Sequence, residues 1–298
     1  MIEVRNLTKK FDDFTAVDNL SLTVHKGSIY GLVGVNGSGK TTVIKHITGV
    51  LRADSGDIFI GGEKVWENPE VKAKISSIPD NLSFLNSYSL KTCANYFSGL
   101  FPDWDWDRYR KMTEKLGLNE KKRLVRFSKG MKKQAAFILA MSTKPEVLIL
   151  DEPLDGLDPL VRRRITKYIM EDVADREMTV LVSSHNLREL EGICDSVGIL
   201  SSGRMLIEKD LDDLKADVSK VQVVFPEGRT PDFSGLDVLY EEKRGSVSLL
   251  IIKGDKDEVD NKLRAMNPVV VDVLPLSLEE IFIYEAGGEN DEFKELLF

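Results

Sequence analysis

The chain has 298 residues, 42% hydrophobic and 30% charged, the balance of a soluble globular protein with one large domain or two modest ones. Its net charge of −8 is uneven: 20 acidic residues stand against 10 basic ones from Asp212 onward, and 29 against 31 before it, which argues against a nucleic-acid surface in the C-terminal third. Two cysteines, Cys93 and Cys194, are too few for a disulfide framework or a cysteine metal site, no apolar run could span a bilayer, and the start MIEVRNLTKKF is unlike a signal peptide, so a cytoplasmic chain is expected.

In chain order, IEVRNLT, NLSLTV and SIYGLV alternate or run apolar as strands do. The third leads into GVNGSGKTT, after which Val43, Ile44, Ile47 and Val50 take up helical spacing. Gly34, Gly39, Lys40 and Thr41 fit G-x-x-x-x-G-K-[ST], with Asn36, Gly37, Ser38 and Thr42 completing the loop. Glycines let successive backbone N–H groups turn inward around phosphate oxygens at a helix N-terminus. Lys40 would reach the β- and γ-phosphates, and the Thr41 hydroxyl would bind Mg²⁺.

DIFIGG and KISSI are the next expected strands, followed by an almost wholly helical insertion over about 87–143 with FPDWDWDRYRKM as a proline-broken connection. Near its end lies RFSKGMKKQ, where Ser128 suits a helix N-cap and Arg126, Lys132 and Lys133 suit a solvated helix face. EVLIL then delivers Asp151 and Glu152 to the carboxyl end of a strand, where open α/β sheets bind ligands. Asp151 would hold Mg²⁺ and Glu152 would polarise an attacking water. MTVLVSS, SVGILSSG and RMLIEK follow as strands alternating with helices, the pattern of a buried parallel sheet. Beyond 212, VQVVF, SVSLLIIKG, a helix in DKDEVDNKLRAM and VVVDVLP predict a small α+β domain over 215–298.

Three further motifs sharpen the reading: FSKGM before a helix, LDGLDP directly after the acidic pair, and LVSSHN after a later strand. In this order the motifs resemble the ATP-binding-cassette (ABC) ATPases, the nucleotide-binding subunits of ABC transporters, over about residues 1–210. The resemblance implies an α/β fold of the P-loop NTPase, ABC type: a mostly parallel core sheet, an antiparallel β subdomain and a helical subdomain. With the C-terminal addition, the expected division is 1–212 and 215–298.

The resemblance also implies ATP and Mg²⁺ as ligands, and a head-to-tail dimer, with itself or a second ABC ATPase, in which ATP lies between one phosphate loop and the partner's signature. Here that signature contributes Ser128 and Gly130. By the same likeness Phe11 stacks on adenine, Val17 joins the nucleotide site, His185 contacts the γ-phosphate and Asp158 lies in the loop that crosses the dimer. The partners implied are separate transmembrane permease subunits, which would hold the chain at the inner face of a bacterial cell membrane; no nucleic acid is implied.

The sequence departs from the family pattern in several places. Its two glutamines, Gln134 and Gln222, both lie outside the segment where the family carries a Mg²⁺-touching Gln, and SSIPDNLSF offers Asp80 instead. Lys129 stands where the signature usually has glycine, with Phe127 and Met131 also atypical, and Leu154 and Asp155 replace small hydroxylated residues. These features and the C-terminal SLEEIFIYEAG resemble the ABC-2 type exporters of drugs, lantibiotics and bacitracin. Two alternatives stay open at this point: a soluble ABC-type ATPase acting on ribosomes, DNA or another macromolecule, and a regulatory binder without turnover. For a transporter, Tyr88, Phe97, Phe101, Trp104 and Trp106 offer either core or a docking face.

Overall fold

The computed structural model describes residues 1–216, 218–226, 231–277 and 279–281. In chain order the elements are β1 (Ile2–Phe11), β2 (Phe14–Val24), β3 (Ile29–Val33), α1 (Lys40–Ile47), β4 (Ser55–Ile60), β5 (Glu63–Lys64), α2 (Pro69–Ala73), β6 (Ile75–Ile78), α3 (Leu90–Leu100), α4 (Trp106–Lys115), α5 (Lys129–Ser142), β7 (Val147–Asp151), α6 (Pro159–Arg176), β8 (Thr179–Ser184), α7 (Leu187–Leu190), β9 (Ser196–Ser201) and β10 (Arg204–Asp210). The chain continues through α8 (Leu211–Ala216), β11 (Val218–Val224), β12 (Asp237–Arg244), β13 (Val247–Lys253), α9 (Lys256–Ala265) and β14 (Val270–Leu274).

Two compact units result, one of Met1–His185 with Ser196–Glu208, the other of Asn186–Asp195 with the described residues from Lys209 on. In the first, six strands lie in the order β10-β9-β3-β8-β7-β6, and β9, β3, β8, β7 and β6 are parallel neighbours. Every residue of β3, β7, β8 and β9 is buried, which is why these strands read as continuous apolar runs rather than alternating ones. A second sheet, β2-β1-β4-β5, is antiparallel. It alternates properly, sending Ile2, Val4 and Leu7 from β1 and Leu20, Leu22 and Val24 from β2 into a core shared with Val43 and Ile47 of α1.

The helical part holds α3, α4 and α5, and α5 buries Ala135, Phe137, Ile138, Leu139 and Met141. The break in FPDWDWDRYRKM is shorter than its composition suggests, because the Asp105 carboxylate accepts from the Arg108 N–H at 2.9 Å and caps α4 from Trp106 onward. Phe97, Phe101, Trp104, Trp106 and Tyr109 pack ring against ring, with centroids 5.5–6.2 Å apart.

The second unit contains the antiparallel sheet β12-β13-β11-β14, with Val221, Val223, Leu250 and Ile252 packed against Val259 and Leu263 of α9. Strand β12 was hidden in the sequence because its end, Glu241–Arg244, is charged, as suits a strand at a sheet edge. Of SLEEIFIYEAG, only Ser277 and Glu279–Ile281 lie among the described residues. There the Ser277 hydroxyl accepts from the Glu280 N–H while the Glu280 carboxylate accepts from the Ser277 N–H, a reciprocal cap. The expected layout of mostly parallel core, antiparallel sheet, helical part and α+β addition is present.

Candidate functional site

Parallel pairing sets Val33 beside Ser184 and Asp151 beside Ser183, so β3, β8 and β7 end together. Whatever follows these strands is therefore delivered to one place: the phosphate loop, His185 and Glu152. A cavity of about 340 Å³ opens there, and its wall includes Asn36, Gly37, Gly39, Lys40, Thr41 and Thr42 on one side and Asp80, Asp151 and Glu152 on the other.

The glycine at position 39 is obligatory on two counts. It sits at φ +109°, and a Cβ there would lie 2.7 Å from the Ala16 carbonyl oxygen. Helix α1 starts at the next residue, so its first N–H groups, which have no acceptor within the helix, face the loop. Lys40 is buried and its Nζ donates to the carbonyls of Gly34 at 2.6 Å and Val35 at 3.2 Å, with the Glu152 Oε1 at 3.5 Å. Ser38 is buried as well, with its hydroxyl lacking a hydrogen-bond partner.

Asp151 is 3% exposed. Its two oxygens accept from the Thr41 hydroxyl at 2.8 Å and the Ser183 hydroxyl at 2.5 Å. Neutral hydroxyls satisfy the lone pairs without cancelling the charge, which leaves a buried carboxylate suited to a cation. Hard oxygen donors in this number fit Mg²⁺, which binds one or two protein oxygens together with phosphates. Among the described residues no group of three or more His, Cys, Asp or Glu comes together as a metal cluster, and such a Mg²⁺ site needs none.

Glu152 has φ +49°, the left-handed region, which for a side chain with a Cβ costs about 1–2 kcal/mol. Its N–H donates to the Ser183 carbonyl at 3.2 Å and hydroxyl at 3.1 Å. Its carboxylate Oε2 lies 2.9 Å from the His185 Nδ1 and accepts from the His185 N–H at 3.4 Å, while the buried Oε1 lacks a hydrogen-bond partner. A carboxylate at the cavity wall is the kind of group that can take a proton from a water held against it.

The remaining expected residues fall into two groups. Phe11, 44% exposed, lines the cavity together with Phe14, its partner across the β1–β2 turn, and the Lys9 ammonium lies 5.4 Å from the Phe11 ring centre. The sequence FDDF held the signal for Phe14, since a two-residue turn pairs the flanking positions. Val17 is fully buried in the core, and its neighbour Ala16 stands on the cavity wall instead. Ser128, Gly130 and Asp158 are not among the residues lining this cavity. Ser128 caps α5, accepting from the Met131 N–H at 3.3 Å, and Asp158 caps α6, accepting from the Val161 N–H at 3.0 Å. A Cβ on Gly130 would meet the Gly156 carbonyl at 3.0 Å, so α5 and the LDGLD loop pack main chain to main chain.

Two lysines of the signature helix behave differently from each other. Exposed Lys129 pairs with Asp155 of its own chain at 2.6 Å. Their hydrogen bond raises the Lys129 pKa and holds the Asp155 carboxyl below its usual range. Lys133 corrects the solvated-face expectation: one helical turn further along α5 it points inward, and its side chain is 3% exposed. Its Nζ donates to the Glu152 carbonyl at 2.5 Å and lies 3.4 Å from the Asp80 Oδ1. Asp80, partly exposed, thus lines the cavity with one carboxylate oxygen close to a buried ammonium.

A model of the ABC transporter family matches residues 17–155. The chain is 32% identical over 290 residues to the ABC transporter ATP-binding protein YtrB of Bacillus subtilis (strain 168), a match spanning 97% of this chain and 99% of that one. It is also 32% identical over 306 residues to the bacitracin transport ATP-binding protein BcrA of Bacillus licheniformis, spanning 97% and 98%. Among solved structures, the ATP binding subunit of an ABC transporter matches with a TM-score of 0.66 at 28% identity, covering 72% of this chain and 92% of the other.

Proposed function

The chain belongs to the ATP-binding subunits of ABC transporters, and on that premise we propose that it is the motor of an exporter, working as a head-to-tail dimer beneath separate permease subunits. It binds and hydrolyses ATP. The observation that carries the reading of its site is the meeting of Lys40, Thr41, Asp151, Glu152 and His185 at the ends of three adjacent parallel strands.

The triphosphate lies on loop 34–42, with its charge met by the first N–H groups of α1 and by Lys40, which leaves its carbonyl partners to reach the phosphate. Phe11, with Phe14 beside it, covers the base. Thr41 and Asp151 would hold Mg²⁺, which would supply neutralisation of phosphate charge when bound. Glu152, whose carboxylate is set between Lys40 and His185, accepts the proton of the attacking water, while His185 holds its Oε2 and faces the γ-phosphate. Ser128 and Gly130, at an exposed helix N-terminus away from their own cavity, read the γ-phosphate of the opposite subunit, and Asp158 lies in the loop that meets it.

The likeness to BcrA supports an exporter, as do the lysine-bearing signature and Asp80 in place of glutamine. Among the described residues no helix is long and apolar enough to cross a membrane, and the spans are assigned to permease chains that hold the motor at the cytoplasmic face. A surface cavity of about 490 Å³, lined by Pro79, Leu82, Phe97, Phe101, Ala136 and Leu139, supports docking of those chains beside Asp80.

Glu152→Gln is expected to bind ATP with affinity within about threefold of the parent while turnover falls at least about 100-fold, measured by equilibrium titration and phosphate release. Hydrolysis at the parental rate would remove Glu152 from the role of base. Affinity capture from membranes is expected to bring down a multi-span protein, and recovery of ribosomes or DNA instead would point to a soluble member of the family.

A further inference from the structure

We propose that Lys133 is a positioning residue for hydrolysis, holding the main chain of Glu152 in the turn that aims its carboxylate; the inference rests on the reading of Glu152 as base.

Two features push Glu152 out of its observed conformation. Its Cβ disfavours φ +49°, and it precedes Pro153, whose ring drives the preceding residue toward extended backbone. Such a residue persists only where its surroundings over-determine it. The N–H side is tied to Ser183 by the bonds of 3.2 and 3.1 Å, but those leave the peptide that joins Glu152 to Pro153 free to rotate. The carbonyl of that peptide is taken by the Lys133 Nζ at 2.5 Å.

Lys133 is itself over-determined. An ammonium 3% exposed is costly unless its charge and donors are met, and here the Glu152 carbonyl, the Asp80 carboxylate at 3.4 Å and the Asp155 carboxylate at 4.0 Å surround it. Its helix is pinned by Phe137, Ile138 and Met141 in the core, so the ammonium cannot follow the carbonyl outward. Release of that carbonyl lets residues 152–153 relax toward extended backbone, swinging the carboxylate from Lys40 and His185. Lys133 is not among the residues lining the nucleotide cavity, and it acts on the reaction through the main chain of Glu152.

The test uses the full chain with Lys133→Met and Lys133→Gln beside Glu152→Gln, reading turnover, ATP affinity and backbone hydrogen exchange of the nucleotide-free protein. Lys133→Met is expected to lower kcat at least about tenfold with ATP Kd within about threefold, and to speed exchange over 150–157 alone. Lys133→Gln, whose amide still donates to the carbonyl, is expected to recover most of both. Parental turnover in Lys133→Met, faster exchange throughout the chain, or no recovery by Gln would each overturn the proposal. Should Lys133→Met not fold, Lys133→Gln decides alone: parental exchange over 150–157 with kcat within about threefold supports the contact, and a tenfold loss overturns it. If Glu152→Gln is inactive while Lys133→Met is normal, only this inference fails; if Glu152→Gln turns over normally, the reading of the base fails first.

Discussion

At the scale of single residues, chemistry and legibility go together. Lys40, Thr41, Asp151, Glu152 and His185 could be picked out because phosphate, metal and proton transfer each demand a particular side chain beside a strand end. Ser183 could not, because a serine closing a buried strand looks like any other. In the fold it donates to Asp151 at 2.5 Å and receives the Glu152 N–H at 3.1 Å, so it sets both acids. Ser183→Ala is therefore expected to weaken Mg²⁺-dependent ATP binding about tenfold or more, as outer partners of metal ligands do, with Mg²⁺-free binding much less affected. Comparing titrations with and without the metal checks this. Lys133 is illegible for a different reason: a lysine amid other basic residues gives no sign of which side of the helix faces a carbonyl.

At the scale of elements, caps and patterning were mostly readable. Ser128 starts α5 as its side chain requires, whereas the caps Asp158 of α6 and Asp105 of α4 carry no such mark, the latter masked by neighbouring tryptophans and a proline. Strand β12 escaped because edge strands carry charge where central ones do not. Helix α1 also holds a buried titratable group. His46 is 1% exposed, its Nδ1 lies 2.7 Å from the Thr42 carbonyl, and burial lowers its pKa. Because the folded pKa lies below the unfolded one, near 6.5, the unfolded chain binds the proton first as pH falls. Stability from this group is thus present above that value and is lost below it, by up to about 1.4 kcal/mol per pH unit. Thermal melts at pH 7 and pH 5 should show the drop, and His46→Gln should flatten it; an unchanged slope would remove His46 as the source. The exposed Lys129–Asp155 pair does not titrate in this window, since the Asp155 pKa is held down and the Lys129 pKa up.

At the scale of the whole molecule, order in the chain mattered more than any one motif. Strands running parallel bring the ends of distant segments together, so a loop at 34–42, an acidic pair at 151–152 and a histidine at 185 meet without being neighbours in sequence. What the order leaves out is sideways contact. The approach of Gly130 to Gly156, the pairing of Lys129 with Asp155 and the inward turn of Lys133 arise where α5 lies against the acidic loop, and no periodicity announces which loop a helix will meet.

The left-handed backbone at Glu152 has a consequence for how such a protein drifts. Asparagine and glycine adopt φ +49° with less strain, so the acid the reaction needs is not the residue the fold would choose. Glu152→Asn is accordingly expected to raise the melting temperature slightly, by about 0.5–1 kcal/mol of stability, while turnover is lost. A melt of the variant beside the parent decides it, and a lower melting temperature would show that the ties to Lys40 and His185 outweigh the strain. Where the first outcome holds, folding and catalysis pull in opposite directions at one codon. Glutamate then persists there only while selection acts on turnover, and a copy released from that selection is free to exchange it for a more comfortable residue.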